Sequence, residues 1–191
     1  MKIRLQFLLT ISRTIFVGCS ASSSSKIEQK HEDIYSLSAE TIDGKLVNFD
    51  QFRGKVLLIA NISLKCGTTP QLRDLQALYE LYRDKNFTVI GFPSDDFTGE
   101  IINLKNVKAV SENNFGVTFP LFSQVNVKGN NKHELFNFLT TNGSKDIRGE
   151  VGFNMEKFII DRDGRVVARY GPFTNPMSTI VRMTLDRLLE E

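Results

Sequence analysis

Tryptophan is absent from this 191-residue chain, and cysteine occurs only twice, as Cys19 and Cys66. Two thiols exclude a disulfide-dense scaffold. No Cys-x-x-Cys pair is present, which excludes the dithiol–disulfide exchange of a thioredoxin. Histidine also occurs twice, as His31 and His133, widely separated in the chain. One cysteine and two scattered histidines lack the spacing of a metal site. Neither histidine has the context of a base for a cysteine hydrolase, and both are expected on the solvated surface. No sign of charge dominates: 24 basic against 22 acidic residues give a net charge of +2, without the clustered basic face of a nucleic-acid binder. No apolar run is long enough to span a bilayer.

What is present is an ordinary globular composition, 41% hydrophobic and 24% charged, with 15 phenylalanines. The length suits one domain with a real core plus an N-terminal extra. The first residues read MKIR, then the mostly apolar LQFLLTISRTIFVG, then Cys19 and SASSSSK. This pattern resembles a bacterial lipoprotein signal, although Arg13 interrupts the apolar stretch and Phe16 stands where Leu is more usual. The expected division is a signal over 1–19 ending at a lipidated Cys19, a flexible Ser-rich linker over 20–33, and a folded domain over 34–191. The expected location is then the extracytoplasmic side of the cell envelope, with possible membrane attachment through the lipid. A protein that keeps the segment would instead be cytoplasmic. With Cys19 carrying lipid, Cys66 is left without an internal partner.

Along the domain, Asp43-Gly44 and Asp163-Gly164 each sit between short apolar stretches and predict two hairpins. VLLIANIS and FTVIGFP read as strands buried on both faces. Between them Leu72, Leu75, Leu78, Tyr79 and Tyr82 recur at helical spacing, with Thr69 as the expected N-cap and Pro70 in the first turn. Strand, helix and strand make a βαβ unit with a parallel pair. Residues 98–114 are polar and partly helical, HELFNFLTT is a short helix, and NPMSTIVRMTLDRLLEE closes the chain as an amphipathic helix with Ile180, Met183, Leu185 and Leu188 expected in the core. The expected class is α/β: a thioredoxin-like fold with an added N-terminal β-hairpin, a central insertion, and helices on both faces of a mixed sheet.

This order puts Cys66 past the C-terminal end of a central strand and just before a helix. Chemistry collects at that edge of α/β sheets. Free N–H groups in the first helical turn and the positive end of the helix dipole favour a thiolate, and the adjacent Lys65 adds positive charge. A solitary activated thiol suits peroxide reduction, in which the thiolate becomes a sulfenic acid and external thiols restore it.

KVLLIANISLKCGTTPQLRDLQALYELYRDKNFTVIGFPSDDF, NFGVTFPLFSQVNVKGNNKHELFNFL and FNMEKFIIDRDGRVVARYGPFTNP occur in that order. Together they resemble the glutathione peroxidases, specifically the cysteine-containing, bacterial-like, small non-tetrameric type, over about residues 34–190. The resemblance implies that Cys66 is the peroxidatic residue and Asn154 its asparagine partner. It also implies two departures. Asp96 stands at the family's glutamine position and Phe153 at its tryptophan position. The glutamine amide and the indole N–H are donors that Phe153 cannot replace. An ionised Asp96 would oppose the thiolate, whereas a protonated one could donate to it. The resolving cysteine of thioredoxin-dependent members corresponds to Ser111, so the reductant implied is an external thiol, glutathione or similar. No prosthetic cofactor or metal is implied. The expected substrates are hydrogen peroxide and organic or lipid hydroperoxides, and a monomer is expected because the insertion used by tetrameric members is missing. The alternative is an envelope binding or scaffold protein of the same fold whose catalysis is weakened or lost through Asp96 and Phe153. A peroxiredoxin-like site ranks lower, because its proline-and-threonine signature is missing around Cys66.

Overall fold

The computed structural model describes residues 31–99 and 103–190. Cys19 and the expected signal therefore lie outside the described residues. Two short strands, β1 (Ser38–Glu40) and β2 (Leu46–Asn48), pair antiparallel around Asp43-Gly44, and Gly44 supplies the positive φ of 83° that the turn needs. A 3-10 turn at Phe49–Phe52 leads into β3 (Val56–Ile62). Helix α1 (Gln71–Tyr82), strand β4 (Phe87–Pro93), helices α2 (Leu104–Phe115) and α3 (Glu134–Thr141), strands β5 (Lys157–Ile160) and β6 (Val166–Tyr170), and helix α4 (Thr179–Glu190) follow. No described helix is long and apolar enough to cross a membrane.

The main sheet has the order β4-β3-β5-β6. β3 and β4 run parallel across the helix α1 crossover, while β3–β5 and β5–β6 are antiparallel, so the sheet is mixed. Alternating residues divide its core. Leu57, Ile59, Ile90, Phe92, Phe158 and Ile160 pack with α3 and the N-terminal hairpin. Val56, Leu58, Ala60, Ile62, Val89 and Ile159 pack with α1 and α4 on the opposite face. Both faces are covered, which explains why β3 and β4 read as unbroken apolar runs. Helices α2 and α3 lie between β4 and β5, in the place of the expected central insertion, and the thioredoxin-like class with helices on both faces holds.

Two local expectations are corrected. Helix α4 turns Val181, Leu185 and Leu188 inward, whereas Ile180 and Met183 are 60% and 65% exposed. The helix carries two apolar stripes, and the sheet takes the one spaced i, i+4, i+7. Thr69 is not the side-chain N-cap of α1. Pro70 occupies the cap with a right-handed helical backbone and no side-chain bond, because residues 66–72 already wind in i→i+3 turns before the helix begins.

Candidate active site

Cys66 lies on the turn between β3 and α1 and opens onto a pocket of about 530 Å³, lined also by Gly67, Thr68, Gln71, Asp74, Phe153 and Phe173. The turn is closed from within. The Cys66 N–H donates to Thr69 Oγ1 at 3.2 Å, the Thr69 N–H donates to the Cys66 carbonyl at 3.0 Å, and the Thr69 hydroxyl reaches the Ser63 carbonyl at 2.9 Å. Thr69 is thus used to shape the loop rather than to cap the helix. The N–H groups of Gln71, Leu72 and Arg73 donate to the carbonyls of Thr68, Thr69 and Pro70. The expected free donors of the first helical turn are therefore engaged with backbone. Instead, the Thr68 hydroxyl donates to Cys66 Sγ at 3.1 Å.

Phe153 comes to the pocket from the turn before β5. Three bonds from Asn61, fully buried on β3, hold this turn. Its side-chain amide donates to the Phe153 carbonyl at 3.1 Å, its side-chain oxygen accepts the Glu156 N–H at 3.0 Å, and its carbonyl accepts the Met155 N–H at 2.7 Å. Met155 takes a left-handed backbone, φ 66°, a conformation uncommon outside glycine. Asn154, between the clamped residues, is fully buried, and neither its amide nitrogen nor its amide oxygen has a hydrogen-bond partner among the described residues. A buried unpaired amide is costly in a folded chain and suits a group that meets its partner only in a complex.

Asp96 is placed differently from Phe153 and does not line the pocket. Its carboxylate accepts the Ser94 hydroxyl at 3.0 Å, the Asn126 side-chain amide at 3.0 Å and the Val127 N–H. Three donors describe a carboxylate that pins the 126–127 loop. The two histidines are also not plain surface residues. His31 bonds Ser36 and Glu134, its side chain mostly covered, and His133 accepts the Leu135 N–H at the start of α3. Burial pushes the His133 pKa below its usual value. Ser111 is buried on α2 with its hydroxyl unpartnered. No group of three or more potential metal ligands occurs among the described residues.

Sequence reading missed three features. The first is an aromatic row: Phe153 contacts Phe97 with ring centroids 5.6 Å apart and stacks on Phe173 at 6.4 Å, and Lys128 Nζ sits 4.1 Å above Phe97. Phe173 is 81% exposed. The second is Lys157, fully buried on β5. Its ammonium donates to Gln71 Oε1 at 2.8 Å and to the Thr174 carbonyl at 2.7 Å, while Gln71 donates to the Pro172 carbonyl at 2.7 Å. This network ties the loop bearing Phe173 to the first turn of α1. The third is Thr68. Only the tandem threonines after Cys66 hinted at it.

Burial drives the Lys157 pKa down to about 8, against the opposing attraction of Glu156 and Asp74. The unfolded chain holds this proton up to about 10.4, so between pH 8 and pH 10 the unfolded state binds more protons and stability attributable to Lys157 rises with pH. Denaturant unfolding of the wild type and Lys157→Met should show it: the stability of the wild type relative to the variant increases across that window and is flat between pH 5 and pH 7. A parallel pair of curves would disprove the lowered Lys157 pKa.

A family model described as glutathione peroxidase matches residues 34–140. Over 157 residues the chain is 43% identical to the glutathione peroxidase homolog BsaA of Halalkalibacterium halodurans, covering 82% of this chain and 99% of that protein. It is 43% identical over 165 residues to the hydroperoxy fatty acid reductase gpx1 of Synechocystis sp., covering 78% of this chain and 92% of that protein. Among solved structures, T. cruzi GPX1 superposes with a TM-score of 0.65 at 27% identity, covering 83% of this chain and 97% of that one.

Proposed function

The chain belongs to the glutathione peroxidase family, and on that premise we propose that it reduces hydroperoxides through a sulfenic acid on Cys66. The protein is a peroxidase-type oxidoreductase that uses a thiol co-substrate and no prosthetic group. In the proposed cycle the Cys66 thiolate attacks one peroxide oxygen. An S–O bond forms, the O–O bond breaks, and the departing oxygen takes a proton to leave as water or an alcohol. A first external thiol displaces water from the sulfenic acid to give a mixed disulfide. A second thiol releases the oxidised pair and returns the thiolate. Cys66 is the one cysteine among the described residues, and Ser111 cannot act as a resolving thiol, so the reductant is glutathione or a similar external thiol.

The observation that carries this reading is a cysteine sulfur with a hydroxyl donor at the wall of an open pocket. Stopped-flow oxidation of the reduced protein by hydrogen peroxide tests it before any reductant is chosen. Cys66 should react orders of magnitude faster than free cysteine, and a rate equal to that of free cysteine would leave a scaffold of the same fold.

The aromatic row supports hydroperoxides with a bulky apolar body, and one relative is named for fatty acid hydroperoxides. Phe173→Ala should therefore lower kcat/KM for a fatty acid hydroperoxide roughly fivefold, the equivalent of about 1 kcal/mol of partial apolar burial, and leave hydrogen peroxide unchanged. Equal losses on both substrates would remove the row from substrate binding. A lipid on Cys19 would keep the domain near membrane peroxides through the 20–33 linker. Mass spectrometry of the mature N-terminus tests this, and an unmodified Met1 start would refute it.

A further inference from the structure

We propose that Thr68 is a catalytic residue of the Cys66 site, its hydroxyl supplying the hydrogen bond that holds the reacting sulfur as a thiolate. The inference rests on Cys66 being the reacting group in the function proposed above. Four observations lead to it. Phe153 has no donor to offer. Asp96 spends its carboxylate on Ser94, Asn126 and Val127. The first N–H groups of α1 and the Cys66 N–H are engaged with backbone and Thr69. Thr68 Oγ1 lies 3.1 Å from Sγ with the hydroxyl donating.

Geometry makes this hydroxyl a fixed donor. Thr68 is buried, 7% exposed, on the pocket wall. Its carbonyl accepts the Gln71 N–H at 3.0 Å, so its backbone is locked to the start of α1. A β-branched side chain adds a stiff χ1. A hydrogen bond to a charged acceptor is stronger than one between neutral groups, so the O–H favours the thiolate over the thiol. When the S–O bond forms, the negative charge leaves sulfur for the departing oxygen, which takes up a proton. Thr68 stays neutral and keeps its own proton throughout.

A donor on the sulfur has two opposed effects. It raises the thiolate fraction at neutral pH, and it lowers the nucleophilicity of each thiolate, with rates following thiol basicity at a slope of about 0.4–0.5. Removing a bond worth about a tenfold shift in the thiol–thiolate balance therefore costs roughly threefold in rate at pH values where both proteins are mostly thiol. It gains roughly threefold where both proteins are fully thiolate.

The test is alkylation of Cys66 by iodoacetamide across pH for the wild type, Thr68→Val and Thr68→Ser. Valine keeps the shape and removes the O–H, whereas serine keeps the O–H. The charged groups of the surrounding elements, Lys65 on the loop, Asp74 on α1 and Lys157 on β5, are the same in all three proteins. The expected result is that the valine profile crosses the wild-type profile, lower on the acidic side and higher on the alkaline side, while serine follows the wild type. A valine profile lowered or raised at every pH without a crossing marks a structural lesion and overturns the proposal. A valine profile that coincides with the wild type, or a serine profile that tracks valine, overturns the proposal. Alkylation needs no peroxide, so a wild type that alkylates with this pattern but ignores hydrogen peroxide refutes the peroxidase reading and leaves the role of Thr68 on the sulfur intact.

Discussion

Cys66→Ser should lose hydroperoxide consumption by on the order of 10³-fold or more, the scale seen when a nucleophile is deleted from a site that depends on it. A serine hydroxyl is not ionised at neutral pH and cannot form the sulfenic acid on which turnover depends. Cys66 is the one cysteine among the described residues, so no second thiol in the domain stands in for it. The measurement is peroxide loss with excess glutathione, comparing wild type, Cys66→Ser and Cys19→Ser. The Cys19 variant should match the wild type, because its proposed role is attachment. Equal rates for wild type and Cys66→Ser would overturn the proposed function.

Arg169→Met should cost about 3–5 kcal/mol of stability, the range for breaking a buried ion pair from one side. On β6, Arg169 meets Glu156 with both side chains largely buried, 15% and 6% exposed, and Nε lies 2.7 Å from Glu156 Oε2. The same guanidinium donates to the carbonyls of Ile147, Gly149 and Glu150. Glu156 in turn accepts the Gly152 N–H at 2.7 Å. Methionine keeps the bulk of the stem but leaves a buried carboxylate without its counter-charge and takes a donor from three carbonyls. Since domains of this size are stable by about 5–15 kcal/mol in total, the variant should unfold at a much lower urea midpoint. The turn carrying Phe153 and Asn154 hangs from this network, so peroxide reactivity should fall as well. An unchanged midpoint would show that the pair is dispensable.

The sequence made the sheet legible because its signals are local. Asp43-Gly44 and Asp163-Gly164 mark turns that require positive φ, found at 83° and 82°. The apolar runs of β3 and β4 leave no solvent face to alternate with. Helix α4 was harder, because Ile180 and Met183 form an apolar stripe as regular as Val181, Leu185 and Leu188, and periodicity does not say which stripe meets the sheet. The site divides along the same line. Cys66 and Phe153 meet in the pocket, as their segments suggested. Asp96 does not, because partners about 30 residues further on turn its carboxylate away, and no spacing rule reaches that far. Asn61 and Lys157 act through hydrogen bonds to groups distant in sequence and Thr68 through one bond to a nearby sulfur, and their residue types carry no pattern of their own.

The position of Phe153 has an optical consequence. In a protein with no tryptophan, Phe153→Trp installs a lone indole between Phe97 and Phe173 at the rim of the Cys66 pocket. Indole emission responds to a nearby charged or oxidised sulfur, and excitation at the red edge of the indole band leaves the four tyrosines of the chain dark. The variant becomes its own reporter, in which each oxidation and reduction of Cys66 registers as a change in fluorescence in real time.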